Sequence, residues 1–158
     1  MGLGLTSPWI VTSSLIEEGE LHIKIDFEKG ARFNGQAVHD SVERSWRHLN
    51  FWQYPTYLHA RVPRVVGEDG KVKQVEVPWA RPGSGFTALF EALAITMCRH
   101  MPVSRVAREF CMDDMALWRL LEHAVEAARW AADFSEVRRV GLDETASRSP
   151  EPRACSPD

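Results

Sequence analysis

Residues 101–123 (MPVSRVAREFCMDDMALWRLLEH) limit what this chain can fold into more than any other stretch. Val103, Val106, Ala107 and Phe110 fall at i, i+3, i+4 and i+7, one apolar face of a two-turn helix. Pro102 suits the first position of that helix, where a missing N–H costs nothing. Cys111, Met112 and Asp113 interrupt the pattern, and the Asp113 carboxylate can accept from the open amides of a second helix. Leu117, Leu120, Leu121, Ala124, Val125 and Ala128 then continue at helical spacing. A short helix, a three-residue turn and a longer helix make a helix-turn-helix layout, with small Ala107 leaving room for close approach. On spacing alone, an ordinary helical hairpin is an equal alternative. Ahead of this pair, residues 86–100 place Phe90, Leu93, Ala94 and Met97 on one face of a third helix. The expected helices are residues 87–100, 103–110 and 114–131, with Val106, Phe110, Leu117 and Leu121 buried together.

The text before the helices is strand-like. Residues 9–16 and 21–27 flank the turn Glu17-Glu18-Gly19-Glu20, and Leu21, Ile23, Ile25 and Phe27 alternate with polar residues at the period of a half-buried strand. Leu58, Ala60 and Val62 likewise alternate with Tyr57, His59 and Arg61, and the turn Gly67-Glu68-Asp69-Gly70 leads to a returning strand through Val72, Val75 and Val77. Trp46, Phe51, Trp52, Tyr57 and Trp79 are the expected core of this module. Aromatics interleaved with Arg and His can also stack on bases, although packing a small β core is their commoner use. Residues 81–85 (RPGSG) break the pattern and mark the best boundary. Residues 137–142 read as a short strand ending in Asp143 and Glu144, and residues 146–158 as a disordered Ser/Pro tail. The expected units are residues 1–30, 31–82, 83–132, 133–148 and 149–158, an α+β chain.

The net charge of −3 argues against nucleic acid only until its distribution is considered. Between residues 31 and 82, Lys and Arg outnumber Asp and Glu by eight to five, with three histidines besides. No apolar run approaches the about 20 residues needed to cross a bilayer. No basic-then-apolar leader opens the sequence, and the three cysteines have no CxxC spacing, which suits reduced thiols in the cytoplasm.

The stretches WRHLNFWQYPTYLHARVPRV, QVEVPWARPGSGFTALFEAL, the helix pair and VRRVGLDETASR, in that order from about residue 5 to 148, resemble bacterial insertion-sequence transposases. The branch is the one with an N-terminal zinc ribbon, a helix-turn-helix and a DDE-type catalytic domain of RNase H-like fold. The resemblance implies a degenerate zinc-ribbon-like module, a three-helix DNA-binding unit and the first strand of a catalytic domain. It implies DNA as partner, through the element's terminal inverted repeats, and Mg²⁺ for the family's catalytic acids. It points to Asp143 as the first of those acids. It also points to Met112, Ala116, Arg119 and His123 on the second helix and to Arg105 and Arg108 on the first as DNA contacts. The basic group Arg61, Arg64, Lys71, Lys73 and Arg81 would supply the electrostatics. A homo-oligomer, or a fragment that pairs with intact transposase and inhibits it, is the alternative partner reading; a nuclease using Asp143 and Glu144 alone is a third.

Two departures stand out. Where relatives carry Cys-x-x-Cys and further ligands, this chain reads Phe33-Asn34-Gly35-Gln36 and Val66-Gly67-Glu68-Asp69-Gly70. His39, His48 and His59 fit no ribbon spacing, so no zinc is expected. The strands that would bring the other catalytic acids are missing, and Asp143 alone cannot clamp two metal ions, so catalysis is not expected.

Overall fold

The structure is a computed structural model and describes residues 3–139 and 141. Six strands precede three helices. They are β1 (Trp9–Glu17), β2 (Glu20–Phe27), β3 (Arg32–Phe33), β4 (Gln36–Phe51), β5 (Tyr54–Val66) and β6 (Val72–Gln74), then α1 (Ala88–Cys98), α2 (Val103–Glu109) and α3 (Asp114–Ala131). The α+β class follows directly, and the three helices fall where their apolar spacing places them. No helix is long and apolar enough to cross a membrane.

The strands form one sheet in the order β1-β2-β5-β4-β3, with β6 beside the far end of β5. The first hairpin pairs Trp9 with Phe27 and Glu17 with Glu20. It does not stand alone, because β2 lies parallel to β5 with Leu21 opposite Thr56 and Ile25 opposite Ala60. The sheet therefore runs straight through residue 30, and Ile23 and Ile25 share a core with Leu58, Ala60 and Val62. The largest hairpin is β4–β5, antiparallel from Val38 opposite Val65 to Phe51 opposite Tyr54. The returning strand after Gly70 is shorter than its valines suggest: β6 covers Val72–Gln74 only, and Val75 and Val77 pack on the sheet core from irregular backbone.

Trp46 and Trp79 join the core as expected, with ring centroids 5.5 Å apart, and Trp9 completes the cluster 4.9 Å from Trp79. Phe51 and Trp52 do not, being 52% and 81% exposed, and Tyr57 is only half-buried. The cause is local: Trp52 occupies the two-residue turn between β4 and β5 with φ of 56°, which carries its ring away from the sheet.

In the helical unit Phe90, Ala94, Val106, Ala107, Phe110, Leu117 and Leu120 form the core. Three expectations for this unit need correction. Leu120, not Leu121, is the deeply buried partner of Leu117, and Leu93 is 39% exposed. The C-terminal part of the α3 stripe is not core either, since Val125 and Ala128 face solvent. The reason is reach: α1 and α2 are too short to cover eighteen residues of α3. The strand expected from residue 137 is absent over residues 137–139, where the Val137 amide instead donates to the Phe134 carbonyl. Asp143, Glu144 and the tail lie outside the described residues.

Sheet and helices are joined through β4. The Arg47 amide donates to the Gly85 carbonyl and the Thr87 amide to the Arg47 carbonyl, at 2.8 and 3.0 Å. The breaker residues 81–85 are thereby fastened at both ends, since Arg81 and Ser84 also bond the Glu91 carboxylate.

Candidate nucleic-acid interface

The turn between α2 and α3 is built from three local devices. Phe110 closes α2 by packing on Phe90, ring centroids 4.9 Å apart. Cys111 takes φ of 50°, the left-handed conformation that ends a helix, and the Met112 amide donates to the Ala107 carbonyl. Asp113 caps α3, its carboxylate accepting from the Ala116 amide at 3.2 Å. Completely buried Ala107 gives α3 its close approach.

That geometry sorts α3 into faces. Leu117 and Leu120 point into the core, and Ala116 is half-buried. Met112, in the turn, packs on the helical core. Of the residues named from the sequence, Arg119 and His123 stand exposed on α3, and Arg105 and Arg108 on α2. Met115 and Trp118 were missed; Met115 is 62% exposed beside Arg119, and Trp118, on the adjoining flank, is 49% exposed. The signal for them was available, because both fall between the apolar positions that face inward.

The basic residues are less available than a count suggests. Arg64 bonds both Asp40 oxygens, which holds the Asp40 carboxyl below its ordinary range and raises the Arg64 guanidinium. Arg61 lies 3.7 Å from Asp26, Arg81 3.0 Å from Glu91 and Arg105 3.1 Å from Glu109. Lys73 lies 2.9 Å from Asp69 and lowers that carboxyl too. Lys71, Arg108, Arg119 and His123 make no ion pair among the described residues. The uncompensated cations of this set thus fall mainly on α2 and α3.

The two loops where a zinc ribbon would hold its ion, residues 33–36 and 66–70, carry no cysteine or histidine. Asn34 and Gly35 form a tight turn with φ of 51° and 77°, between β3 and β4. Phe33 is buried there against Trp9 and Phe27, 5.6 Å from each ring. The Gln36 side-chain oxygen is buried without a partner, and Asp69 is committed to Lys73 and the Lys71 amide. The histidines are engaged elsewhere: His48 with Thr87 Oγ1, His59 with His22, each at 2.9 Å. Among the described residues no three His, Cys, Asp or Glu side chains are grouped to hold a metal.

Comparison with known proteins gives two family matches. Residues 75–125 match the helix-turn-helix domain of transposase family ISL3. Residues 34–66 match the zinc-finger of transposases IS204, IS1001, IS1096 and IS1165. Among curated proteins, the transposase for insertion sequence element IS1557 of Mycobacterium tuberculosis, in strains CDC 1551 and H37Rv, is 31% identical over 110 residues. That alignment covers 64% of this chain and 23% of the relative. No solved structure matches the chain.

Proposed function

We propose that this chain, whose residues 34–66 and 75–125 match zinc-finger and helix-turn-helix models of insertion-sequence transposases, binds the terminal inverted repeats of such an element. The observation that carries this reading is the exposed face of α3, where Met115, Arg119 and His123 project from a helix whose opposite side is seated on α1 and α2. In a helix-turn-helix that helix enters the major groove with its N-terminal residues near base edges. Arg119 can donate two bonds to a guanine, and the Met115 side chain suits a thymine methyl. Arg108 supplies phosphate contact from α2. Asp113 is spent on its own helix as the cap; Asp114 remains exposed and can accept from a cytosine amino group.

The sheet serves this reading as a platform. It folds without zinc, with the aromatic cluster of Trp9, Phe33, Trp46 and Trp79 supplying cohesion that a ribbon takes from its metal. The chain aligns with about a quarter of the length of the curated relatives it matches, so the reading is confined to recognition.

The test is fluorescence anisotropy with duplexes carrying the element's terminal repeat and a shuffled control. Tighter binding to the repeat, lost with Arg119→Ala, is the expected result. Equal affinity for both duplexes would overturn it.

A further inference from the structure

We propose that Trp118, Leu121, Val125 and Ala128, along one flank of α3, form a seam through which two copies of this chain pair antiparallel. The proposal does not rest on the DNA-binding reading. It starts from an imbalance in α3, which has eighteen residues but only Leu117 and Leu120 deeply buried. At about 1.5 Å per residue the helix is on the order of 27 Å long, well beyond what α1 and α2 cover. Trp118 is 49% and Val125 57% exposed, Leu121 is half-buried and Ala128 is exposed. An intervening spacing of three, four and three residues is that of a coiled-coil seam, not of the broader stripe that seats a helix on a globular core.

The residues beside the seam identify what covers it. Glu122 and Arg129 each follow a seam residue by four positions and lie on one flank. Ala124 and Ala131 lie on the other. When two such helices pair antiparallel, like flanks meet. Glu122 then faces the second copy's Arg129, and Arg129 faces the second copy's Glu122, while the alanine flanks let the helix axes come close. A parallel pair would set the charged flank against the alanine flank and form neither ion pair. Neither Glu122 nor Arg129 makes an ion pair among the described residues, so both are available for this. The pattern is self-complementary, which is the requirement for a two-fold interface.

The seam is separate from the groove-facing side of α3. Arg119 and His123 lie on another face, so pairing leaves them open. Four apolar side chains per copy fall short of the about 800 Å² per partner of a standard interface. Association should therefore be weak and concentration-dependent.

The experiment is sedimentation equilibrium of the full chain, from about 1 µM to a few hundred µM, with three variants whose helix content is checked by circular dichroism. Wild-type protein should move from monomer to dimer across that range. Val125→Glu should abolish dimerisation. Glu122→Arg should weaken it at least tenfold by setting like charges opposite each other, and adding Arg129→Glu should restore it. A chain that stays monomeric throughout would overturn the proposal and leave the flank to a different protein surface. A dimer indifferent to Val125→Glu and Glu122→Arg would overturn it by placing the interface elsewhere. A dimer broken by Glu122→Arg but not restored by the double reversal would exclude the antiparallel pairing.

Discussion

The guanidinium carbon of Arg47 lies 5.3 Å from the ring centroid of Phe90 and 5.3 Å from that of Tyr57, which brings a strand residue of β4 between the sheet and the first helix. Its nitrogens donate to the carbonyls of His48 and Thr56 and to the Asn50 side chain, with no carboxylate in the set. A buried cation held by rings and carbonyls is a structural joint, and its planar fork is what satisfies several acceptors together.

Arg47→Ala should accordingly destabilise the chain by about 2–4 kcal/mol, because it strands buried carbonyl acceptors as well as removing ring contacts. Arg47→Lys should recover only part of this. Urea midpoints for the three proteins measure the order; equal midpoints would show that the joint is not where sheet and helices are held.

The His48 ring is buried and bonded to Thr87, and burial, with Arg47 beside it, pushes its pKa below the ordinary 6.5. The folded state therefore prefers the neutral ring. Above 6.5 both states are neutral and the stabilisation is complete; as pH falls below 6.5 the unfolded chain takes up the proton first and stability is lost. His59, lowered by burial and by His22, acts in the same direction. Melting temperature should drop as pH falls from about 7 to 5, and the drop should be smaller in His48→Gln.

Among the described residues, Asp113 supplies the only side-chain bond at the start of α3. Asp113→Ala should cost about 1 kcal/mol and Asp113→Ser much less, since a serine hydroxyl accepts the same amide. Thermal unfolding of the two variants distinguishes a lost cap from a lost charge.

DNA binding should show which cations are compensated. Arg108→Ala should reduce the slope of log affinity against log salt by about one, whereas Arg119→Ala should lower the preference for the repeat over the shuffled duplex. Arg61→Ala with Arg64→Ala should change it little, because Asp26 and Asp40 already offset those charges. A slope that falls by two in the sheet double variant would move the phosphate contacts to the sheet.

Elemental analysis of the purified chain should give no stoichiometric zinc, and a strong chelator should leave its melting temperature unchanged. One tightly held equivalent of zinc would refute the metal-free platform.

What was legible in the sequence were features carried by near neighbours. The spacing of Val106, Phe110 and Leu117 gave the helix pair, and the alternation of Ile23 with Ile25 and of Leu58 with Ala60 gave the inward faces of β2 and β5. What was not legible depended on distant partners. β4 is long but buries only Trp46, Arg47 and His48, so its polar residues on both faces hide the strand period. The basic excess of residues 31–82 looked like a binding patch because Asp26, which offsets Arg61, lies outside that window and meets it only through the parallel pairing of β2 with β5. The α3 stripe misled in the opposite way: one run of apolar residues, Leu117 to Ala128, serves two faces.

That parallel pairing also sets an order of events during synthesis. The β1–β2 hairpin is complete once residue 27 has emerged, yet Ile23 and Ile25 have no sheet to cover them until residues 56–60 appear. The β4–β5 hairpin closes over a two-residue turn and needs only its own segment, so its loop entropy is small. It should nucleate the sheet, with the N-terminal hairpin docking afterwards in a slower, non-local step. Chains caught before that step would display two apolar isoleucines on a finished hairpin. The interval between residues 27 and 60 is thus the time in which this protein is most exposed to aggregation.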